Sequence, residues 1–127
     1  MASLSNYGLA AVLNALLRQQ SYTATSAYVA LYSSDPGMTD TGTEISGAGY
    51  ARMPVTFGAP VAGVCSNTAA VIFPTAIGDW GNVTHAGIRD ALTGGHLLFH
   101  GILDFPETVL ANDAFEFKIG EIVCTLA

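Results

Sequence analysis

Val83–Leu103 reads VTHAGIRDALTGGHLLFHGIL, and this stretch decides the fold. Two apolar-rich runs, Val83–Ala91 and His96–Leu103, flank the link Leu92-Thr93-Gly94-Gly95. A short link with two glycines lets the chain reverse through positive φ, so the segment predicts a β-hairpin. If Gly87 pairs with His100, alternation sends His85, Arg89, His96 and His100 to one face. Ile88, Leu97 and Phe99 then point to the other.

The neighbouring segments extend the same pattern. Ala27–Ser33 (AYVALYS) is rich in β-formers, with Tyr28 and Tyr32 on one face and Val29 and Leu31 on the other. A long loop follows over Ser34–Gly49, opened by the turn signal Asp35-Pro36-Gly37. Further short strands are predicted at Arg52–Phe57, Val61–Cys65, Thr68–Phe73, Thr108–Leu110, Ala114–Ile119 and Glu121–Leu126. Pro54 marks an edge strand, because proline offers no ladder donor. Upstream, residues 4–18 predict one helix, with Leu9, Val12, Leu13, Leu16 and Leu17 on an apolar stripe and Ser5 or Asn6 as cap. Such a stripe is expected to face the core, although it could also pack between protomers. The expectation is an all-β, antiparallel β-sandwich of about eight strands with one N-terminal α-helix, a single domain over residues 1–127.

Composition narrows the function. Ten acids face only four bases, Arg18, Arg52, Arg89 and Lys118, for a net charge of −6. Nucleic acids and anionic membranes are recognised by clustered bases, which this chain lacks. No apolar run approaches the ~20 residues of a membrane span. No base precedes Arg18, so a secretory leader is not expected and assembly in a cytoplasm is. Charged residues make up 11% of the chain, against about 25% for soluble domains. So thinly charged a surface points to burial against other subunits.

The chemistry-bearing residues form no recognisable catalytic set. His85, His96 and His100 share a predicted face but not the convergence of a metal site. Asp35, Asp40 and Glu44 lie in an oxygen-rich loop without calcium-loop spacing. Gly47-Ala48-Gly49 lacks the Lys-Ser/Thr of a phosphate cradle. Asp79, Asp104 and Glu107 could supply a glycosidase-like carboxylate pair, but nothing in their spacing brings them together. Cys65 and Cys124 read as two buried thiols, able to pair only if their strands are neighbours. Trp80 is either an interface anchor or a cap on the core. No catalytic residue, cofactor or metal is expected.

Several motifs carry a family resemblance. They are Tyr28–Gly37 (YVALYSSDPG), Thr41–Gly47 with Gly49-Tyr50-Ala51-Arg52, Ser66–Pro74, Trp80–His85, and Thr93-Gly94-Gly95 before Leu97-Leu98-Phe99. Together they resemble small tailed-phage virion proteins that are often labelled tail fibre proteins. The likeness extends to the jelly-roll cement, or decoration, proteins of HK97-type capsids. It implies a jelly-roll sandwich that forms homodimers on the outer shell and bridges major capsid proteins. It implies no enzyme activity, no cofactor, no nucleic acid and no membrane. The long loop and the region of Trp80 would make the contact, through Asp35, Pro36, Met38, Thr39, Glu44, Tyr50 and Trp80. The rival expectations are a tail or head fibre component that binds a host receptor, and a sugar-degrading enzyme built on Asp79, Asp104 or Glu107.

Overall fold

The computed structural model describes residues 2–24 and 26–126; Met1, Thr25 and Ala127 lie outside the described residues. In chain order the elements are β1 (Ser3–Leu4), α1 (Asn6–Leu17), β2 (Ala27–Tyr32), β3 (Met53–Val55), β4 (Val64–Ser66), β5 (Val71–Ile72), β6 (Gly81–Arg89), β7 (Leu97–Val109), β8 (Glu116–Phe117) and β9 (Val123–Thr125). All pairings between strands are antiparallel. A five-stranded sheet has the order β1-β7-β6-β2-β3, and two small sheets pair β4 with β9 and β5 with β8. The fold is the expected all-β sandwich with one N-terminal helix. No helix among the described residues is long and apolar enough to cross a membrane.

Alternation on β2 explains how the layers assemble. Val29 and Leu31 point inward and pack with Val83 and Ile88 against Val71, Phe73, Phe115 and Phe117. Each such buried aliphatic side chain contributes about 1.5–3 kcal/mol. Phe115 and Phe117 meet edge to face with ring centroids 5.3 Å apart, the geometry that the ring quadrupoles favour. Ala30 and Tyr32 point the other way and pack with Leu97 in a second cluster. Both faces of β2 are therefore covered, the inner by the small sheets and the outer partly by the long loop.

The hairpin forms with Gly87 opposite His100. Gly87 has a packing reason to lack a side chain: a Cβ there would stand 2.6 Å from Leu97 and 2.9 Å from Tyr32. Beyond that pair the ladder departs from simple alternation. A register shift after Ile88 sets Arg89 opposite Leu97 rather than Leu98. One extra residue on a strand reverses the faces of those that follow, so Leu97 joins Tyr32 instead of Ile88. A second shift lies between Val83, which faces Glu107, and His85, which faces Ile102. Leu103–Pro106 bulges out there, and Phe105 is 84% exposed. Pro106 is thus no strand break. The strand expected separately at Thr108–Leu110 is the far end of β7, which continues to Val109. A bulge accommodates the missing N–H of proline.

Asn67, 2% exposed, ties the lower layer together. Its Nδ2 donates to the carbonyls of Ala69 and Lys118, at 2.9 and 3.0 Å, and its Oδ1 accepts from the Ile122 N–H at 2.9 Å. The substitution Asn67→Ala removes the partner of the buried Ile122 N–H and of two part-buried carbonyls. We expect a loss of about 2–4 kcal/mol, read as a lower urea midpoint with an unchanged slope.

Candidate interaction surface

Two buried arginines organise the upper end of the sandwich. Arg52 grips Glu44 through Nε and Nη2, at 2.8 and 2.7 Å. Its Nη1 donates to the carbonyls of Ala91 and Gly94, at 2.9 and 2.8 Å. Arg89 grips Asp40 through Nη1 and Nη2, at 2.8 and 3.0 Å. It also donates to the Tyr32 hydroxyl at 3.0 Å and to the carbonyls of Gly94 and Gly95, at 3.3 and 3.1 Å. Gly94 and Gly95 have φ of 63° and 69°, and their carbonyls turn toward the guanidinium groups. Only a planar fork with five donors can hold a carboxylate and several carbonyls at once. The long loop and the hairpin tip are thereby fastened to each other.

The carboxylates are tuned by these contacts. Burial alone pushes the Glu44 carboxyl up, but hydrogen bonds from Arg52 and Tyr50 outweigh it and hold the group below its usual value. The Tyr50 hydroxyl donates to Glu44 at 2.7 Å and accepts from the Leu31 N–H at 3.0 Å. Burial, then the bond to Glu44, drives that hydroxyl far above the usual tyrosine value. Asp90 follows the same logic: burial raises its carboxyl, but bonds to the His96 backbone N–H and ring outweigh this and hold it below its usual value.

The seven loop residues singled out from the sequence fall into two groups. Glu44, Tyr50 and Trp80 belong to the framework. Trp80 is buried, donates from Nε1 to the Ala48 carbonyl at 2.9 Å, and meets Tyr50 edge to face at 5.6 Å. Pro36 is also buried, and a Cβ on Gly42 would stand 2.7 Å from it. Asp35, Met38 and Thr39 are on the surface. Asp35 accepts from the Gly37 N–H at 2.9 Å, which fixes the turn. The Met38 carbonyl accepts from the Asn6 N–H at 2.9 Å and joins the loop to the start of α1. Met38 and Thr39 rim a hollow of about 340 Å³ with Asn6, Tyr7 and His96.

Of the three histidines, two are occupied with local contacts. His85 Nδ1 lies 2.8 Å from the Thr84 hydroxyl, and His96 bonds Asp90 at 3.2 Å while stacking on Tyr7 at 4.0 Å. His100 has a buried Nε2 without a hydrogen-bond partner. No group of three metal-ligating side chains converges among the described residues. Asp40 and Glu44 are engaged with the arginines, so the long loop offers no cage of free oxygens. Asp79 accepts from the Ala111 N–H at 3.0 Å. Cys65 and Cys124 face each other across β4 and β9 as free thiols, and burial pushes Cys124 up to about 12.

Sequence reasoning expected the leucines of α1 to face the core and kept packing between protomers as the alternative. The helix runs over Asn6–Leu17, capped by Ser5, whose Oγ accepts from the Gly8 N–H at 3.0 Å. Gly8 is its only buried residue, while Leu13 is 54% exposed and Leu16 and Leu17 are each 71% exposed. The stripe expected to face the core is turned outward.

The chain is thus a small β-sandwich with a fastened loop and an apolar helix turned outward. Residues 3–125 match the family described as podophage GP4 fiber I protein gp80. The chain belongs to that family and is a structural protein of a bacteriophage virion. No curated protein matches it.

Two outcomes follow from the clamp. Replacing Arg52 by Leu leaves Glu44 without its buried partner and is expected to cost about 3–5 kcal/mol in chemical denaturation. The pH dependence has a defined sign. Glu44 and Asp90 sit below their ordinary values of 4.5 and 3.8. Their contribution is therefore present above those values and lost as the pH falls through the lower, folded ones. Wild-type Tm should exceed that of Glu44→Gln near neutrality, and the gap should narrow on acidification below about pH 4.5. A gap that stays constant from about pH 6 to 3 would contradict the role given to Glu44.

Proposed function

We propose that this virion protein is a cement protein with jelly-roll topology, bound to the outside of an HK97-type capsid and bridging major capsid proteins. The observation that carries this reading is the spread of exposed apolar side chains. Leu16 and Leu17 lie on α1, Phe105 on the β7 bulge, Val61 before β4, and Ile77 in the loop before β6. A bracket must meet more than one neighbour, so it needs apolar contacts on several segments. A receptor binder needs one tip. The exposed part of the long loop, Asp35, Met38 and Thr39, adds a contact arm of mixed polarity whose shape the arginine clamp sets.

The role needs no catalysis. A ligand that binds the assembled lattice better than free subunits stabilises the lattice by mass action. Many copies on one shell add avidity, because a bracket released at one contact is held near its site by the other.

The description of the family favours a second reading, a fibre component that engages a host surface. Copy number separates the two. Quantitative mass spectrometry of purified virions is expected to give a molar ratio to the major capsid protein near one or one-half. A ratio of a few per hundred would overturn the cement reading in favour of a fibre.

A further inference from the structure

We propose that Cys65 and Cys124 are a disulfide site: two thiols inside a reducing cell, and a covalent link between β4 and β9 once a small-molecule disulfide reaches them outside it. A bacteriophage virion passes between those two environments, since it is assembled in a host cytoplasm and released from it. The proposal rests on the virion class alone. It holds for a cement protein and for a fibre component, so its failure is separate from that of the cement reading.

The first argument is register. Cys65 stands directly opposite Cys124, between the pairs Val64 with Thr125 and Ser66 with Val123. Directly opposed residues send their side chains to the same face of a sheet, so the two sulfurs share one side. The Leu126 N–H donates to the Gly63 carbonyl at 2.8 Å, and the Asn67 N–H to the Ile122 carbonyl at 3.2 Å. These bonds flank the cysteines two residues away on either side. Antiparallel ladder bonds recur at every second residue, so Cys65 and Cys124 are a hydrogen-bonded pair. Such a pair has Cα atoms about 5.5 Å apart, within the span of a disulfide. Its Cβ atoms, also about 5.5 Å apart, must close by about 1 Å. β4 has three residues and leaves a turn in which Ala62 and Gly63 have φ of 51° and 77°, so a shift of that size needs no change of pairing.

The second argument is access. Cys65 is half-buried, whereas Cys124 is buried. Cys65 therefore meets the oxidant first. Its thiol loses a proton and attacks the small disulfide, forming a mixed disulfide and expelling one thiolate, which takes up that proton. Cys124 then gives up its own proton and attacks the Cys65 sulfur, expelling the second thiolate. Over the two steps the protein loses two protons and two electrons, and the small disulfide becomes two thiols. Burial first, and then the charge of a Cys65 thiolate, hold the Cys124 thiol protonated. The second of these causes vanishes once Cys65 is in the mixed disulfide.

The third argument is what the link holds. β4 and β9 form a sheet of two strands, a unit that is marginal in water by itself. β9 also carries the start of the chain: the Ala2 N–H donates to the Val123 carbonyl at 2.7 Å, and the Thr125 N–H donates to the Ala2 carbonyl at 2.9 Å. A disulfide fastens β4 to that ribbon. It also encloses the chain from β5 to β8, and a closed loop of that length restricts the unfolded state.

The test uses the full chain, purified under reductant and then moved into oxidised glutathione at neutral pH. Alkylation after denaturation should find both thiols before oxidation and neither after it, with no glutathione retained. Peptide mapping without reductant should join the Cys65 and Cys124 peptides within one chain. The folded protein should close faster than the protein in urea, because the register opposes the two thiols only in the fold. The oxidised form should melt about 5 °C above the reduced one. Cys65→Ser, given the same oxidant, should show no rise. Thiols that persist in oxidised glutathione overturn the proposal, as do glutathione left on Cys65, a link between two chains, or closure only in urea. An oxidised form that melts no higher than the reduced one overturns it as well. In the virion, host cells lysed directly into alkylating agent should yield the free-thiol chain, and purified particles the linked one. A chain already linked in cells, or particles with both thiols free, would contradict the proposal.

Discussion

The upper half of this protein depends on where two guanidinium groups sit. Arg52 and Arg89 each join a carboxylate from the long loop to carbonyls from the hairpin tip, and both donate to the Gly94 carbonyl. Neither segment has a structure that would persist alone. The loop has few backbone bonds to a neighbouring strand, and the tip holds two residues of positive φ. A buried ion pair is weak grounds for net stability, because desolvation consumes much of the Coulombic gain. Its effect here is selective. The observed path of the loop over Tyr32 and Leu97 gives each guanidinium its carboxylate, and a path that withdrew Glu44 or Asp40 would strand a buried cation. The clamp thus converts a flexible connection into a fixed part of the surface.

The same groups explain the odd charge balance. Half of the bases are internal, and each is matched by a loop carboxylate. The remaining eight acids and two bases account for the whole net charge of −6 (2 − 8 = −6). Low charge density is therefore compounded by an absence of cations on most of the exterior. Apolar side chains occupy the space, on α1 above all.

Much of the fold was legible, and the reasons differ by element. The hairpin could be read because its glycines have a local cause, and Gly87 does stand opposite His100, although a bulge intervenes between that pair and the tip. The helix span could be read from the cap at Ser5 and the loss of pattern after Arg18. Its orientation could not. A stripe of leucines has the same period whether it faces a core or a neighbour, and only the fit of Gly8 against β7 decides between them. The bulges beside Leu98 and at Leu103–Pro106 were equally invisible, since alternation gives no sign of where a residue is inserted. Among the loop candidates, Pro36 and Trp80 drew notice for residue type, yet both are buried as supports. Asn67 drew none, because a single asparagine after a strand looks like any turn residue.

The clamp and the helix are coupled through one short stretch of chain. His96 follows Gly95 directly, stacks on Tyr7 of α1 and bonds Asp90. Leu97 and Leu98, the next two residues, give their carbonyls to Ser5. The position of α1 on the sheet is thus set by the residues that leave the hairpin tip, and the tip is set by the arginines. A helix that faces outward has no core to orient it, so its direction must come from such a chain of specific polar contacts. This accounts for the unusual investment of two buried arginines in one loop. The clamp does little for the hydrophobic core, which lies on the other side of β2. It fixes the angle at which the leucine face is presented to solvent.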